Sequence, residues 1–387
     1  MSTSQDLVTQ ATHITPPSSF ANDPLTPPPT DEIPFPQARR IVSLFKSIQD
    51  GRYSQKQSWS EFQLVPGEYD EIERQLERDE ALSGYIQDKI RYDYNVETRR
   101  LVVRMPSGVH ELFIDAVEDA IRSQLKAIRS GSGPEARFAQ KVRPARSTEI
   151  EFPAEDVQAS GRSKYEPDAS FWHENAQYPG VIVEVAYSQK KKRLDRLAED
   201  YLLDSDASVQ VVVGLDIEYG KRGSRQATLS VWRTRMINTD EGAELRVFKD
   251  LADEPFRDDR GMPTAHPGLR LRLSDFAYEE LAQEEIGEND QDLMVSAEQL
   301  CDYLTAAEKK VQQLGSLGKH SIAPRVKKRK RSETPPEEIT SSDEARYILR
   351  KRRGRRSVWR IETLTTKRFQ PEARLGKHCT LSVQTFF

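Results

Sequence analysis

The chain has 387 residues and a formal net charge of −4, from 58 Lys and Arg against 62 Asp and Glu. That length holds one or two domains with a real core, and the near balance of charge excludes a polycation that grips nucleic acid along its whole surface. At 36% hydrophobic and 31% charged the average is polar, which predicts disordered segments around a compact middle, and the two distant cysteines, Cys301 and Cys379, exclude a disulfide framework and a zinc site and fit a reducing compartment.

Residues 1–36 are rich in Ser, Thr and Pro and have almost no apolar periodicity, so a disordered arm is expected. The N-terminus lacks a basic-then-apolar signal pattern, and no run approaches about 18 apolar residues, so a soluble intracellular protein with no membrane partner is expected. Ala38–Gln49, with Ile41, Val42, Leu44, Phe45 and Ile48, reads as a short amphipathic helix, and Pro66–Asp79 as a second one through Tyr69, Ile72 and Leu76. Ile90–Tyr94 and Arg100–Met105, separated by NVET, read as a hairpin. Ser107 is placed to cap a long helix with a broad apolar face (Leu112, Phe113, Ala116, Val117, Ala120, Ile121), and His110 and Glu111 lie in its first turn. Glu111, with Asp115, Glu118 and Asp119, also reads as a solvated acidic face that complements the helix dipole. Ser130–Gly133 is a loop, and Thr148–Phe152 is expected as the first core strand.

Glu166–Tyr201 is the stretch around which the chain is organised. A short strand opens on Pro167-Asp168, and after a turn comes the most apolar run of the protein, Val181–Ala186, interrupted by Glu184. Such a run predicts a central strand buried on both faces, where an ionised carboxylate costs several kcal/mol unless it is paired or bound to metal. An antiparallel hairpin of Asp168–Trp172 with Val181–Ala186, centred near Ala176, would set Asp168 opposite Glu184 on one face of the sheet. Two carboxylates that close predict either one raised pKa or a hard cation, Mg²⁺ or Mn²⁺, between them. Gln189–Arg193 then lead into a helix whose Leu194, Leu197, Ala198 and Tyr201 share a face; one turn earlier that face carries Lys190 and Lys191, aimed at the carboxylates. Carboxylates, a cation and an ammonium are the parts needed to polarise a phosphodiester and activate a water. The plainer reading pairs Glu184 with Lys191 or Arg193 as a structural ion pair.

Beyond it, Val209–Leu215 reads as a parallel-type strand, Ala227–Arg233 as an edge strand with Trp232 as packing, and Met262–Phe276 as a closing extended segment. Asp292–Leu314 reads as one helix, for self-association or for packing back on the domain. From Lys319 the composition changes: a cluster with Lys327, Lys328, Arg329, Lys330 and Arg331, and another with Arg350, Lys351, Arg352 and Arg353, flank an acidic, Pro-containing segment. Each suits contact with a nucleic-acid backbone or a nuclear import receptor, so the nucleus is the expected location. Ile361–Phe387 has no readable pattern.

Pro167-Asp168 on one strand, Glu184-Val-Ala on the next, a Lys-rich helix ending at Tyr201 and the strand VQVVVGLD resemble the PD-(D/E)xK restriction-endonuclease-like superfamily, most of all its bacterial branch of restriction-endonuclease-type proteins. The likeness runs from about Trp59 to about Phe276. It implies an α/β fold with a restriction-endonuclease-like mixed β-sheet core flanked by helices; together with the compositional reading of disordered N- and C-terminal arms, this divides the chain into a disordered arm at 1–36, a domain with an N-terminal helical extension at 37–276, a helical segment at 277–318 and a basic, largely disordered tail at 319–387. It implies a metal held by Asp168 and Glu184 with Glu111, and catalysis by Asp168, Glu184 and Lys191 in a metal-dependent nuclease. One departure stands out. Two residues after the Glu, where the superfamily has Lys, this chain has Ala186, and one turn before Tyr201 it has Leu197 beside Arg196. The alternative is therefore a catalytically inactive nuclear protein of the same fold that binds nucleic acid or protein.

Overall fold

The computed structural model describes residues 35–53, 59–154, 161–187, 191–218, 223–313 and 326, without the side chains of Tyr187, Lys191 and Lys192. The chain is a mixed α/β protein, with helices packed on antiparallel and parallel strand pairs.

The first sheet has the strand order β1 (Trp59–Gln63), β3 (Arg100–Arg104), β2 (Arg91–Asn95), β6 (Arg162–Tyr165) and β5 (Ile150–Pro153). Helices α1 (Pro36–Gln49), α2 (Glu68–Arg78) and α3 (Glu80–Lys89) cover one face of it. Ile41, Phe45 and Ile48 of α1 meet Ile72, Leu76, Leu82 and Ile86 and the strand residues Tyr92, Tyr94, Leu101 and Val103. Alternation along the strands then sends Glu61, Asp93, Asn95, Arg100, Val102 and Arg104 to the opposite, polar face.

The second sheet is ordered β11 (Gly242–Arg257), β10 (Ala227–Thr239), β9 (Val211–Ile217), β8 (Val181–Tyr187), β7 (Ala169–His173) and β4 (Val142–Pro144). β8 and β9 run parallel, and the crossover between them carries α6 (Lys191–Leu203). On one face, Val181, Val183, Val211, Val213 and Leu215 pack with Phe113, Val117, Ile121 and Leu125 of α4 (Gly108–Arg129), whose start is capped by the Ser107 hydroxyl, 3.3 Å from the His110 N–H that it accepts. On the other face, Ile182, Val212 and Trp232 pack with Leu197, Ala198, Tyr201 and Leu202 of α6. Gly214 makes room there: a Cβ would stand 2.6 Å from the Trp232 ring.

The remaining elements are α5 (Pro134–Lys141), β12 (Leu269–Arg272) paired with β13 (Asp292–Val295), α7 (Glu279–Glu285) and α8 (Ala297–Gln313). Several expectations change. Ala227–Arg233 is only the first half of a longer strand and is interior, because β11 takes the edge. Thr148–Phe152 corresponds to β5, which belongs to the first sheet, where it pairs with β6 instead of joining the core strands. Asp292–Leu314 is a strand followed by a helix: Leu293 and Val295 alternate inward, and only from Ala297 do Leu300, Leu304 and Ala307 recur at helical spacing, in the same core as α4. Strand β1 and helices α3 and α5 are short and were hidden by their mixed patterns. No helix among the described residues is long and apolar enough to cross a membrane.

Candidate functional site

The β7–β8 ladder pairs Ala169 with Val183 and Ser170 with Ile182. One step further along the same register, Asp168 faces Glu184, and the Asp168 carboxylate accepts the Val185 backbone N–H at 2.8 Å. Both acids are buried. The expected convergence is therefore in place, at the seam where the polar face of the first sheet meets β8 and α6.

What stands between the acids is a guanidinium. Arg104, the last residue of β3, sends Nη1 to Glu184 Oε2 at 2.8 Å and to Asp168 Oδ1 at 3.7 Å, and Nη2 to Asp93 Oδ1 at 3.0 Å. Nη2 also donates to the Glu166 carbonyl, and Asp93 accepts the Glu166 N–H at 3.0 Å. The second oxygen of Glu184 accepts the Tyr201 hydroxyl at 2.8 Å, so the last turn of α6 closes the cluster. On the other side, His110 Nε2 lies 2.9 Å from Asp168 Oδ2 and Arg91 Nη1 lies 3.2 Å from Asp168 Oδ1.

Burial and charge divide the protons unequally. Burial pushes Glu184 up to about 8, against the pull of Arg104 and with the push of the Asp168 and Asp93 charges. Asp168 is buried as deeply, which by itself raises its pKa, yet His110, Arg104 and the Val185 N–H together hold it well below the ordinary carboxylate range. His110 is lifted to about 9, because the Asp168 and Glu111 contacts overcome its burial. Asp93 is raised by burial in spite of Arg104. The like charges that cannot all be ionised are thus relieved by a raised pKa on Glu184, one of the two expected routes, and by a guanidinium between them, which was not expected.

Of the expected site residues, Asp168 and Glu184 come together. Glu111 does not join them: its side chain is 46% exposed and faces Arg91 Nη2 at 3.3 Å and His110 Nδ1 at 3.5 Å, so its neighbour His110 is the α4 residue that reaches the centre. Lys191 begins α6 but its side chain lies outside the described residues, as do Lys190 and the basic clusters at 327–331 and 350–353. Arg104, Asp93 and the Tyr201 hydroxyl were missed as site groups. Their signal was present, since Arg91-Asp93-Asn95 and Arg100-Val102-Arg104 alternate on a face that three helices leave uncovered.

A divalent cation between Asp168 and Glu184 does not fit this arrangement, because the Arg104 guanidinium stands there, 2.8 Å from Glu184 and 3.7 Å from Asp168, and the Asp168 oxygens are engaged by His110, Arg91 and the Val185 N–H. Among the described residues, no group of three or more His, Cys, Asp or Glu side chains is disposed to hold a metal ion. Fold and site together define a mixed α/β domain with a buried ion-pair centre at the junction of two sheets. No family model matches the chain, and no curated protein matches it significantly.

Proposed function

We propose that the protein is a restriction-endonuclease-like domain that keeps the carboxylate pair of that fold as an internal ion-pair centre and works in the nucleus by binding nucleic acid, not by hydrolysing it. The observation that carries this reading is the place of Arg104: its fork engages Glu184 at 2.8 Å and Asp93 at 3.0 Å, where a hydrolase would need open ligand positions for a metal and its water. Ala186 in place of the expected Lys points the same way. The two basic clusters would engage an import receptor and add salt-dependent affinity for phosphate backbones.

A second reading, a Mg²⁺- or Mn²⁺-dependent nuclease using Asp168, Glu184 and Lys191, is favoured by the facing register of the two acids. It requires Arg104 to swing out and the metal to take its place. The experiment is Mn²⁺-dependent cleavage of single- and double-stranded DNA by the full chain, beside Asp168→Asn and Glu184→Gln, with oligonucleotide binding followed by fluorescence anisotropy. Binding with no cleavage is expected. Cleavage by the parent that both substitutions abolish, with folding intact, would overturn the binding-only reading in favour of the nuclease, and absence of any nucleic-acid binding would remove both.

A further inference from the structure

Beside the buried centre, and sharing Asp93 as a wall, the polar face of the first sheet and the start of α6 line a small cleft that is open to solvent. Three guanidiniums line it, Arg100 from β3 and Arg193 and Arg196 from α6, and all three converge on a single carboxylate, Glu61 of β1. Arg193 Nη2 lies 3.1 Å from Glu61 Oε2, while Arg100 Nη1 and Arg196 Nη1 lie 3.6 and 3.9 Å from Oε1. The Arg193 guanidinium also sits 4.8 Å above the indole of Trp59, whose ring N–H is buried with no hydrogen-bond partner among the described residues.

The charges do not close. Among the described residues, Glu61 alone lies within ion-pair distance of all three guanidiniums, Asp93 is engaged by Arg104, and Asp200, the other acid on the wall, is pushed up to about 7 by burial against the pull of the Tyr165 hydroxyl and Arg196. Glu61 is 31% exposed and Arg196 49%, so the contact between them is open to exchange with a solute. Two carboxylate oxygens, with one nitrogen of each of three guanidiniums 3.1–3.9 Å away, leave donors on all three arginines that a phosphate group with its additional oxygen would engage more fully than a carboxylate does.

We propose that this cleft is a phosphate-binding site in which Arg100, Arg193 and Arg196 hold the anion and Glu61 is the internal carboxylate that it displaces. The phosphate could belong to a nucleic-acid strand, in which case the inference deepens and rests on the nucleic-acid reading above, or to a free nucleotide, in which case it stands apart. The same guanidiniums serve both sources.

The test uses the full chain and three probes, inorganic phosphate, adenosine monophosphate and a fluorescein-labelled single-stranded oligonucleotide, read by calorimetry, by tryptophan emission and by anisotropy. Arg193→Ala combined with Arg196→Ala should weaken binding of the probe that uses the site about tenfold, the size of a lost charge-assisted contact. Glu61→Gln should strengthen it several-fold, a direction that a merely structural role for Glu61 would not produce, and Trp59→Phe should remove the emission change. Melting temperatures confirm that each variant folds. Loss of adenosine monophosphate or phosphate binding in the double variant, with no oligonucleotide binding by the parent, supports the cleft and rejects the nucleic-acid reading. Oligonucleotide binding that neither the double variant nor Glu61→Gln alters, with no binding of the two small probes, overturns the cleft and leaves the reading in place. No binding of any probe overturns both.

Discussion

Removing the Arg104 guanidinium would leave Asp93, Asp168 and Glu184 buried around an empty space. The cost of breaking a buried pair from one side is about 3–5 kcal/mol, so Arg104→Ala is expected to lower the midpoint of urea unfolding sharply. Arg104→Lys should recover only part of the loss, since one ammonium cannot reproduce a fork that reaches Glu184 and Asp93 from different nitrogens. The proton balance gives a second expectation. His110 and Glu184 both titrate higher in the folded state, about 9 and about 8, than their ordinary values. Between those ordinary values and the folded ones the native state holds more protons than the unfolded chain, so stability is greatest on the acid side and falls as the pH rises. Asp168 acts oppositely: its lowered pKa supports the fold above the ordinary aspartate value and is lost only in stronger acid. Urea midpoints measured from pH 5 to pH 9 should therefore decline, and Glu184→Gln and His110→Asn should each flatten the slope. A rising midpoint over that range would mean that the centre does not hold its protons as described.

Among the elements, α8 shows how a segment that reads as an appendage is part of the core. Leu300, Leu304 and Ala307 recur every three or four residues and are buried in the cluster that contains Phe113 and Val117 of α4. Leu304→Ala is expected to destabilise the protein by about 2–5 kcal/mol, as for large-to-small changes at other buried leucines. Because the cluster is continuous, one shifted unfolding transition should appear by circular dichroism; a separate early transition for α8 would contradict that packing. The β7–β8 pair was legible from sequence for a related reason. The two strands are consecutive in the chain, and the apolar pattern of each and the spacing of Asp168 from Glu184 define the register. Strand β11 was not legible, because its residues are mostly exposed or half-buried along a sheet edge, with no steady alternation.

Across the whole molecule the charge is near balance, yet 58 basic residues are unevenly spread, with dense runs after Lys319. Oligonucleotide affinity, if supplied by phosphate contacts, should fall linearly on a log–log plot against salt, with a slope near −0.7 per contact for single strands. Neutralising Lys327–Arg331 and Arg350–Arg353 should reduce that slope by several contacts, whereas the Arg193 and Arg196 substitutions should reduce it by no more than about two. An unchanged slope in the cluster variant would place the nucleic-acid surface elsewhere.

The sequence alone determined what is local: the amphipathic faces of α1, α4 and α6, the Ser107 cap, the apolar parallel strands, and an Asp168–Glu184 pair that needed either a raised pKa or a cation. These follow from periodicity and from hydrogen bonding over a few residues to one turn or hairpin. Which cation it would be was decided only by the tertiary structure. Arg104 is 80 residues from Glu184 in the chain and 11 from Asp93, and nothing in the local pattern of either strand couples them. Their meeting depends on how the polar face of one sheet is set against the carboxylate strand of the other, and burial at that seam is what makes the pairing necessary.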